Sequence, residues 1–276
     1  MEDLTVAAVN FLSDFGEVEL NLQRTRAWAE RMAKKGVDVL CFPELSACGY
    51  ENSWYISPLM DKIPGDITTE LQKIAFDCQI TLIAGLAEQV GDTERYISQV
   101  YVPPQGDLGV YRKTHLSPQE ASYFMPGNQF PVFDHPKARI GILVCYDLRF
   151  PEPCTLLALQ GVEVVFVCMA ASPYAHYPIA EKLHRLLPAR ALDNSIFMVT
   201  CNQVGIGHQG RVFGGAAMVV KPDGKIVREV ISKHQSVLKH KLRAKTLQKA
   251  KRSAYLYCMQ DRQPELYGDL SQRREG

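Results

Sequence analysis

Short apolar runs of strand length alternate with longer segments of helical period along this chain, and the alternation narrows the fold more than any other property. LTVAAVNF (4–11) reads as a strand. Residues 17–35 place Leu20, Leu22, Ala27, Trp28 and Met32 among charges at helical spacing. Gly36 supplies the stop, and VDVLCFPE (37–44) follows as a short buried strand. Residues 66–78 read as a helix opened by Asp66 or Thr68, and ITLIAGLAE (80–88) as a strand. SQVYVPP and LGVYRK flank the turn QGD as a hairpin. ARIGILVCYD (138–147) is a strand, 151–160 a helix opened by a proline, and VEVVFVCMAAS (162–172) a strand. Residues 178–193 form a helix, SIFMVTCNQ (195–203) a strand, and 214–230 a hairpin closed by Pro-Asp-Gly. Helices followed by single strands, with hairpins between, predict an α/β fold of mixed sheets with helices outside. KKGVDVLCFPE (34–44) and LQGVEVVFVCMA (159–170) echo each other, as two half-units around one core would. No low-complexity linker divides the chain, so residues 1–276 read as a single domain.

Charge removes several function classes. Lys plus Arg number 31 and Asp plus Glu 30, a net charge of +1, so no global field recruits nucleic acid or an anionic membrane. The apolar runs fall well short of the ~20 residues that a membrane span needs. MEDLTVAAVN is acidic and enters a strand at once, unlike a signal peptide. A hydrophobic share of 46% against 22% charged residues argues against disorder. None of the eight cysteines has CxxC spacing, so no metal or dithiol site is expected and a reducing, cytoplasmic location is. VLKHKLRAKTLQKAKR (237–252) holds seven Lys/Arg, no acid and no aromatic. It reads as a solvated helix face or as part of an arm over 237–276 packed on a partner, rather than a base-stacking surface.

Three strand ends carry candidate chemistry. In CFPELSACGY (41–50) Glu44 follows an apolar strand, where a carboxylate must be paired or functional. In VYRKTHLSPQEASYFMPG (110–127) Lys113 ends a strand, Glu120 lies in the next loop, and His115 reads as a structural hydrogen-bonder. In RIGILVCYDLRFPEP (139–153) Cys145 sits where a buried strand turns polar, a junction that exposes a nucleophile. Asp147 and Arg149 read as an ion pair, and Cys145 taken alone reads equally as a core cysteine. A cysteine nucleophile needs a base and an oxyanion donor, and a carboxylate in a dry site can take the thiol proton. The three ends supply one carboxyl, one ammonium and one thiol, and spacing alone does not bring them together.

PELSACGY, RKTHLSP and CYDLRFPE resemble the Glu-Lys-Cys triad contexts of the nitrilase superfamily of carbon–nitrogen hydrolases. PQEASYFMPG resembles its segment with a second glutamate, PARALDNSIFMVTCNQVG its RARAxEN strand entry, and DRQPELYGDL (261–270) its closing DRRPELY. The matches run in order from 41 to 270. The resemblance implies a four-layer αββα sandwich, a homodimer joined through helices after Cys145, and no cofactor or metal. It implies cysteine-dependent hydrolysis of a small linear amide to a carboxylic acid and ammonia, with Glu44, Lys113 and Cys145 catalytic and Glu120 beside them. Tyr50, Tyr146, Arg149, Ala170, Ala171 and Tyr177 flank matched strand ends as candidate substrate-binding walls. Arg149 and Arg190 are candidates for a substrate carboxylate, or else scaffold ion pairs.

Two departures bear on the acyl group: PARA stands for RARA, with Pro188 lacking an amide donor, and MAASPYAHYP (169–178) is shorter than the ω-amidase loop. The same triad serves nitrilases and N-carbamoyl hydrolases, which stay open as alternatives. A catalytically silent interaction module of the same fold is the alternative of another class. A thiol redox protein lacks a resolving cysteine.

Overall fold

The structure is a computed structural model that describes residues 1–172, 179–253 and 258–272. Its first half runs β1 (Leu4–Asn10), α1 (Val18–Ala33), β2 (Val39–Cys41), α2 (Asp66–Cys78), β3 (Thr81–Val90), β4 (Glu94–Val102) and β5 (Gly109–Arg112). The second runs β6 (Val132–His135), β7 (Ala138–Val144), α3 (Glu152–Leu159), β8 (Val164–Met169), α4 (Ile179–Asn194) and β9 (Phe197–Asn202). A small hairpin, β10 (Gly205–Ile206) and β11 (Val212–Phe213), precedes β12 (Gly215–Val220), β13 (Ile226–Ser232), β14 (Ser236–Leu242) and α5 (Ala244–Lys251).

The echo in the sequence marks a repeated architecture. One six-stranded sheet has the order β14-β1-β2-β3-β4-β5 and the other β6-β7-β8-β9-β12-β13. Each has an antiparallel edge strand, three parallel strands, then two antiparallel strands. The echoed segments become β2 and β8, the middle parallel strand of each sheet.

Side-chain alternation sorts the layers. In β1, Leu4, Val6 and Ala8 face the core between the sheets, whereas Ala7 and Val9 join a second cluster with Ala29 and Met32 of α1 and Leu71 and Ile74 of α2. On the far side Leu157 of α3 and Leu183 and Leu187 of α4 cover the second sheet. The order of layers is therefore α1/α2, sheet, sheet, α3/α4, the expected αββα sandwich.

Two expectations need correction. Residues 237–242 do not begin an arm: β14 pairs with β1 from Leu4↔Leu242 to Asn10↔Ser236. Leu238 and Leu242 point inward while Lys239 and Lys241 stand on the outer face, charges that keep an edge strand from pairing with another chain. α5 then buries Leu247 and Ala250. At α2, Asp61 rather than Asp66 takes the Ile67 N–H (2.8 Å), and Thr68 Oγ1 accepts the Gly65 N–H (2.9 Å).

Candidate active site

Glu44, Lys113, Cys145 and Ala170 follow the C-terminal ends of β2, β5, β7 and β8, so both sheets deliver polar groups to one end of the sandwich. A cavity of about 650 Å³ opens at the other end, lined by Asp38, Tyr101, Phe133 and Lys137, and contains none of them.

Glu44 is fully buried. Its Oε1 accepts from Lys113 Nζ at 2.7 Å and its Oε2 from the Ala170 backbone N–H at 3.1 Å. Burial pushes its carboxyl up to about 7, and the Lys113 charge opposes that rise. The chain can turn here because β3 carries Gly85: a Cβ at that position would lie 2.4 Å from Leu45 N. Leu45 itself has φ +52°.

Lys113 is not a surface residue. Its backbone N–H extends the β4–β5 ladder to Ile97 O (2.8 Å), and neighbouring Arg112 is held outward by a fork onto buried Glu88 (2.8 and 2.6 Å). Alternation then turns Lys113 inward, where its ammonium also reaches both Glu120 oxygens at 2.7 and 2.8 Å. Burial alone would lower its pKa; Glu44 and Glu120 outweigh it and hold it well above the ordinary value. Glu120 is further fixed by the Tyr50 hydroxyl (2.7 Å) and the Ser117 N–H (2.7 Å).

Cys145 opens a short 3-10 turn, Cys145–Arg149, with φ +43°, at the strand-to-turn junction expected from the sequence. Its thiol is pushed up to about 12 by burial first and Glu44 next, with Lys113 opposing. Buried Asp147 braces the turn. Its Oδ2 accepts from the Val144 N–H (2.8 Å) and Tyr111 hydroxyl (2.7 Å); its Oδ1 accepts from the Thr114 hydroxyl (3.0 Å) and His115 N–H (2.9 Å) and lies 2.9 Å from His115 Nδ1. One carboxylate thus ties the Cys145 turn to the segment after Lys113.

The sequence profile of the carbon-nitrogen hydrolase family matches residues 5–252. The chain belongs to this family. It is 33% identical over 264 residues to an (R)-stereoselective amidase of Pseudomonas sp., covering 95% of this chain and 92% of that protein. It is 34% identical over 227 residues to a nitrilase of Pyrococcus abyssi, covering 80% of this chain and 83% of the relative. An amidase from Nesterenkonia sp. AN1, in a form with acrylamide added at its active-site cysteine, shares the fold with a TM-score of 0.84. That match has 28% identity and covers 97% of this chain and 99% of the other. The protein is an amidase-like carbon–nitrogen hydrolase of the nitrilase superfamily.

The other predicted residues of this hydrolase fall into distinct settings. Tyr50 stands beside Glu120, Ala170 contributes its N–H to Glu44, and Ala171 is held by Asn202 through N–H···Oδ1 (2.8 Å) and Nδ2–H···O (3.0 Å) bonds. Tyr177 lies outside the described residues. Arg149 does not pair with Asp147, whose oxygens are taken by five other groups; the guanidinium carbon of Arg149 lies 5.6 Å from the centre of the Tyr146 ring. Arg190 is directed to the carbonyls that end the Cys145 turn, with Arg149 O at 3.2 Å. His115 stacks on Phe150 at 4.0 Å and bonds Asp147, the structural role expected of it.

Sequence spacing missed three features. Asp147 is expected from the sequence to pair with Arg149, although a carboxylate two residues past a buried strand needs donors of its own. The β10–β11 hairpin was not anticipated, and it packs Phe213 against Tyr50 at 6.0 Å. Cys41, Cys168 and Cys201 meet between the sheets, with the Cys41 sulfur 3.4 and 3.5 Å from the other two. They come from three strands of two sheets, so no local spacing announces them. Burial holds the Cys41 and Cys168 thiols well above their ordinary pKa, as core hydrophobes.

Proposed function

We propose that this hydrolase converts a small linear amide to its carboxylic acid and ammonia through a thioester on Cys145. The observation that carries the reading is the buried contact of Lys113 with both Glu44 and Glu120, whose charges act on the Cys145 thiol.

The thiol sits far above neutrality and Glu44 close to it, so the thiolate is not stored. Glu44 takes the Cys145 proton as the sulfur attacks the carbonyl carbon. Negative charge moves to the carbonyl oxygen, where the Lys113 ammonium and the Tyr146 N–H are the proposed donors. Tyr146 is the second residue of its turn, so its N–H has no acceptor within that turn. Protonated Glu44 returns the proton to the amide nitrogen, the C–N bond breaks, and ammonia leaves a thioester. Glu44 then removes a proton from water, whose oxygen attacks the acyl carbon; the C–S bond breaks and the proton returns to sulfur. Glu120 keeps Lys113 in place and orients the amide. The chemistry calls for no cofactor.

Ammonia release from a panel of small amides, carbamoyl compounds and nitriles tests the reading. Turnover of amides without carbon dioxide supports it. Carbon dioxide would point to an N-carbamoyl hydrolase, and turnover confined to nitriles to a nitrilase, an activity named for the Pyrococcus abyssi relative. Absence of any turnover, with no preferential iodoacetamide labelling of Cys145, would point to a silent module.

A cytoplasmic homodimer is proposed alongside. Its support is the set of eight free cysteines and the exposed leucines Leu156 and Leu159 of α3 and Leu192 of α4. Among the described residues, no helix is long and apolar enough to cross a membrane.

A further inference from the structure

We propose that Gln99, on β4, is a positioning residue for the Glu44 base: it clamps the Phe42 carbonyl and so fixes the chain that carries the carboxylate. This rests on the amidase reading above and adds the device that aims its base.

The backbone ladder does not reach Glu44. β2 ends at Cys41, and its extension bonds β3 through the Phe42 N–H, which donates to Ile83 O at 2.8 Å. Pro43 follows and has no N–H to continue the ladder. Bonds to β3 resume after the turn, where Ser46 Oγ accepts from the Gly85 N–H (3.0 Å) and the Ala47 N–H donates to Gly85 O (2.9 Å). Glu44 stands in the interval between these two anchors.

Gln99 holds that interval from the side. It shares a face of β4 with Ile97 and Tyr101, turned to the core between the sheets, and is fully buried there. Its cross-strand partner on β3 is Gly85. With no side chain at position 85, Gln99 extends across β3, and its Nε2–H reaches Phe42 O beyond that strand at 3.0 Å. A Cβ at position 85 would lie 2.6 Å from Gln99 Oε1, so this passage needs a glycine beneath it.

Packing does not account for an amide here. Among the described residues Gln99 Oε1 has no hydrogen-bond partner. Turning the amide round would set Oε1 against the Phe42 carbonyl, acceptor against acceptor. An apolar side chain of similar length would fill the same face without burying an unsatisfied oxygen, so the cost is met by what Nε2 holds. Two residues beyond Phe42, Glu44 has to meet Lys113 Nζ at 2.7 Å and the Ala170 N–H at 3.1 Å. Both contacts draw its carboxyl down against burial, while the Glu120 charge raises it. The other titratable groups that face Glu44 are Tyr50, Cys145 and Cys168, none of them cationic. A loosened Glu44 segment therefore loses the two contacts that favour the carboxylate.

The test is Gln99→Met, which keeps the length and removes the amide, beside Val100→Ala, which opens space on the opposite face of β4. Gln99→Met should lower kcat for amide hydrolysis about 10- to 100-fold with KM changed less than about twofold, as misplacement of a reacting group does. The acid limb of its kcat/KM profile should move upward from the wild-type position at about 7. Val100→Ala should lower the thermal midpoint at least as much as Gln99→Met does and keep the wild-type kcat. An unchanged kcat or an unmoved acid limb in Gln99→Met, or an equal loss of kcat in Val100→Ala, would overturn the proposal. Labelling of Cys145 by iodoacetamide needs no turnover and reads the same proton transfer to Glu44. Its rate should fall by a similar factor in Gln99→Met, and equal labelling of wild type and variant also overturns the proposal. If no amide releases ammonia while the labelling difference persists, the amidase reading fails and the clamp on Glu44 stands.

Discussion

Lys113 Nζ and Glu44 Oε1 lie 2.7 Å apart with both side chains withdrawn from water. A buried pair of this kind gives little net stability, because desolvation offsets the attraction, yet breaking it is costly. Here the ammonium also serves Glu120, so one positive charge compensates two carboxyls. Burial first, with the Glu120 charge adding to it against the Lys113 ammonium, holds the Glu44 proton near neutrality instead of in the usual carboxylate range.

Removing the ammonium should therefore damage the fold as well as the reaction. Lys113→Met is expected to abolish amide hydrolysis and to lower unfolding free energy by about 3–5 kcal/mol, the cost of stranding a buried charge. Urea denaturation and ammonia release read the two effects. A variant with wild-type stability would mean that the two carboxyls do not depend on Lys113.

The rate should follow the ionisation of Glu44. As a base it must be deprotonated, and its carboxyl is raised to about 7 by burial. Activity is thus lost as pH falls below about 7 and gained as pH rises through that value. Lys113 keeps its proton well above its ordinary range, so it should impose no fall at mildly alkaline pH. A kcat/KM profile between pH 5 and 9 should rise to a plateau. An acid limb near pH 4 would instead indicate an unperturbed carboxylate.

Asp147 should behave as a positioning residue. Asp147→Ala leaves the Val144 N–H and Tyr111 hydroxyl without their acceptor, at about 1–3 kcal/mol for each buried donor. The variant should lose kcat by more than tenfold with a smaller change in KM, and Asp147→Asn should recover part of the stability. Equal losses in kcat and KM would show that the Cys145 turn is not what it holds.

Gly85→Ala offers a quieter perturbation. The added carbon meets Leu45 N at 2.4 Å and must push the Glu44 segment away from β3. A cost of about 1–3 kcal/mol is expected, with activity reduced by the displaced carboxylate. Thermal unfolding and amide turnover measured together check it; an unaffected rate would mean that Glu44 tolerates the shift.

How legible each part was follows from how locally it is encoded. β2 and β8 are covered on both sides, so they stand out as continuous apolar runs whose echo fits two half-units around one core, while the two face-to-face sheets followed from the family resemblance. β14 was hidden by its charges: Lys239, Lys241 and Arg243 suggested an arm, while the alternation of Leu238 and Leu242 carried the strand. β6, only four residues, gave no periodicity to read. Glu44, Lys113 and Cys145 were individually ambiguous, and the resemblance of their surrounding motifs united them. Asn202 ties the hairpin to the segment after β8 through contacts that no spacing along the chain expresses.

The most direct measurement is ammonia release by purified Cys145→Ala, assayed with a hydrolysable amide beside the wild-type protein and checked for a native fold. The account predicts a folded variant with no turnover, and in the wild type an acyl adduct on Cys145 after acid quench. Full activity in the variant would contradict it.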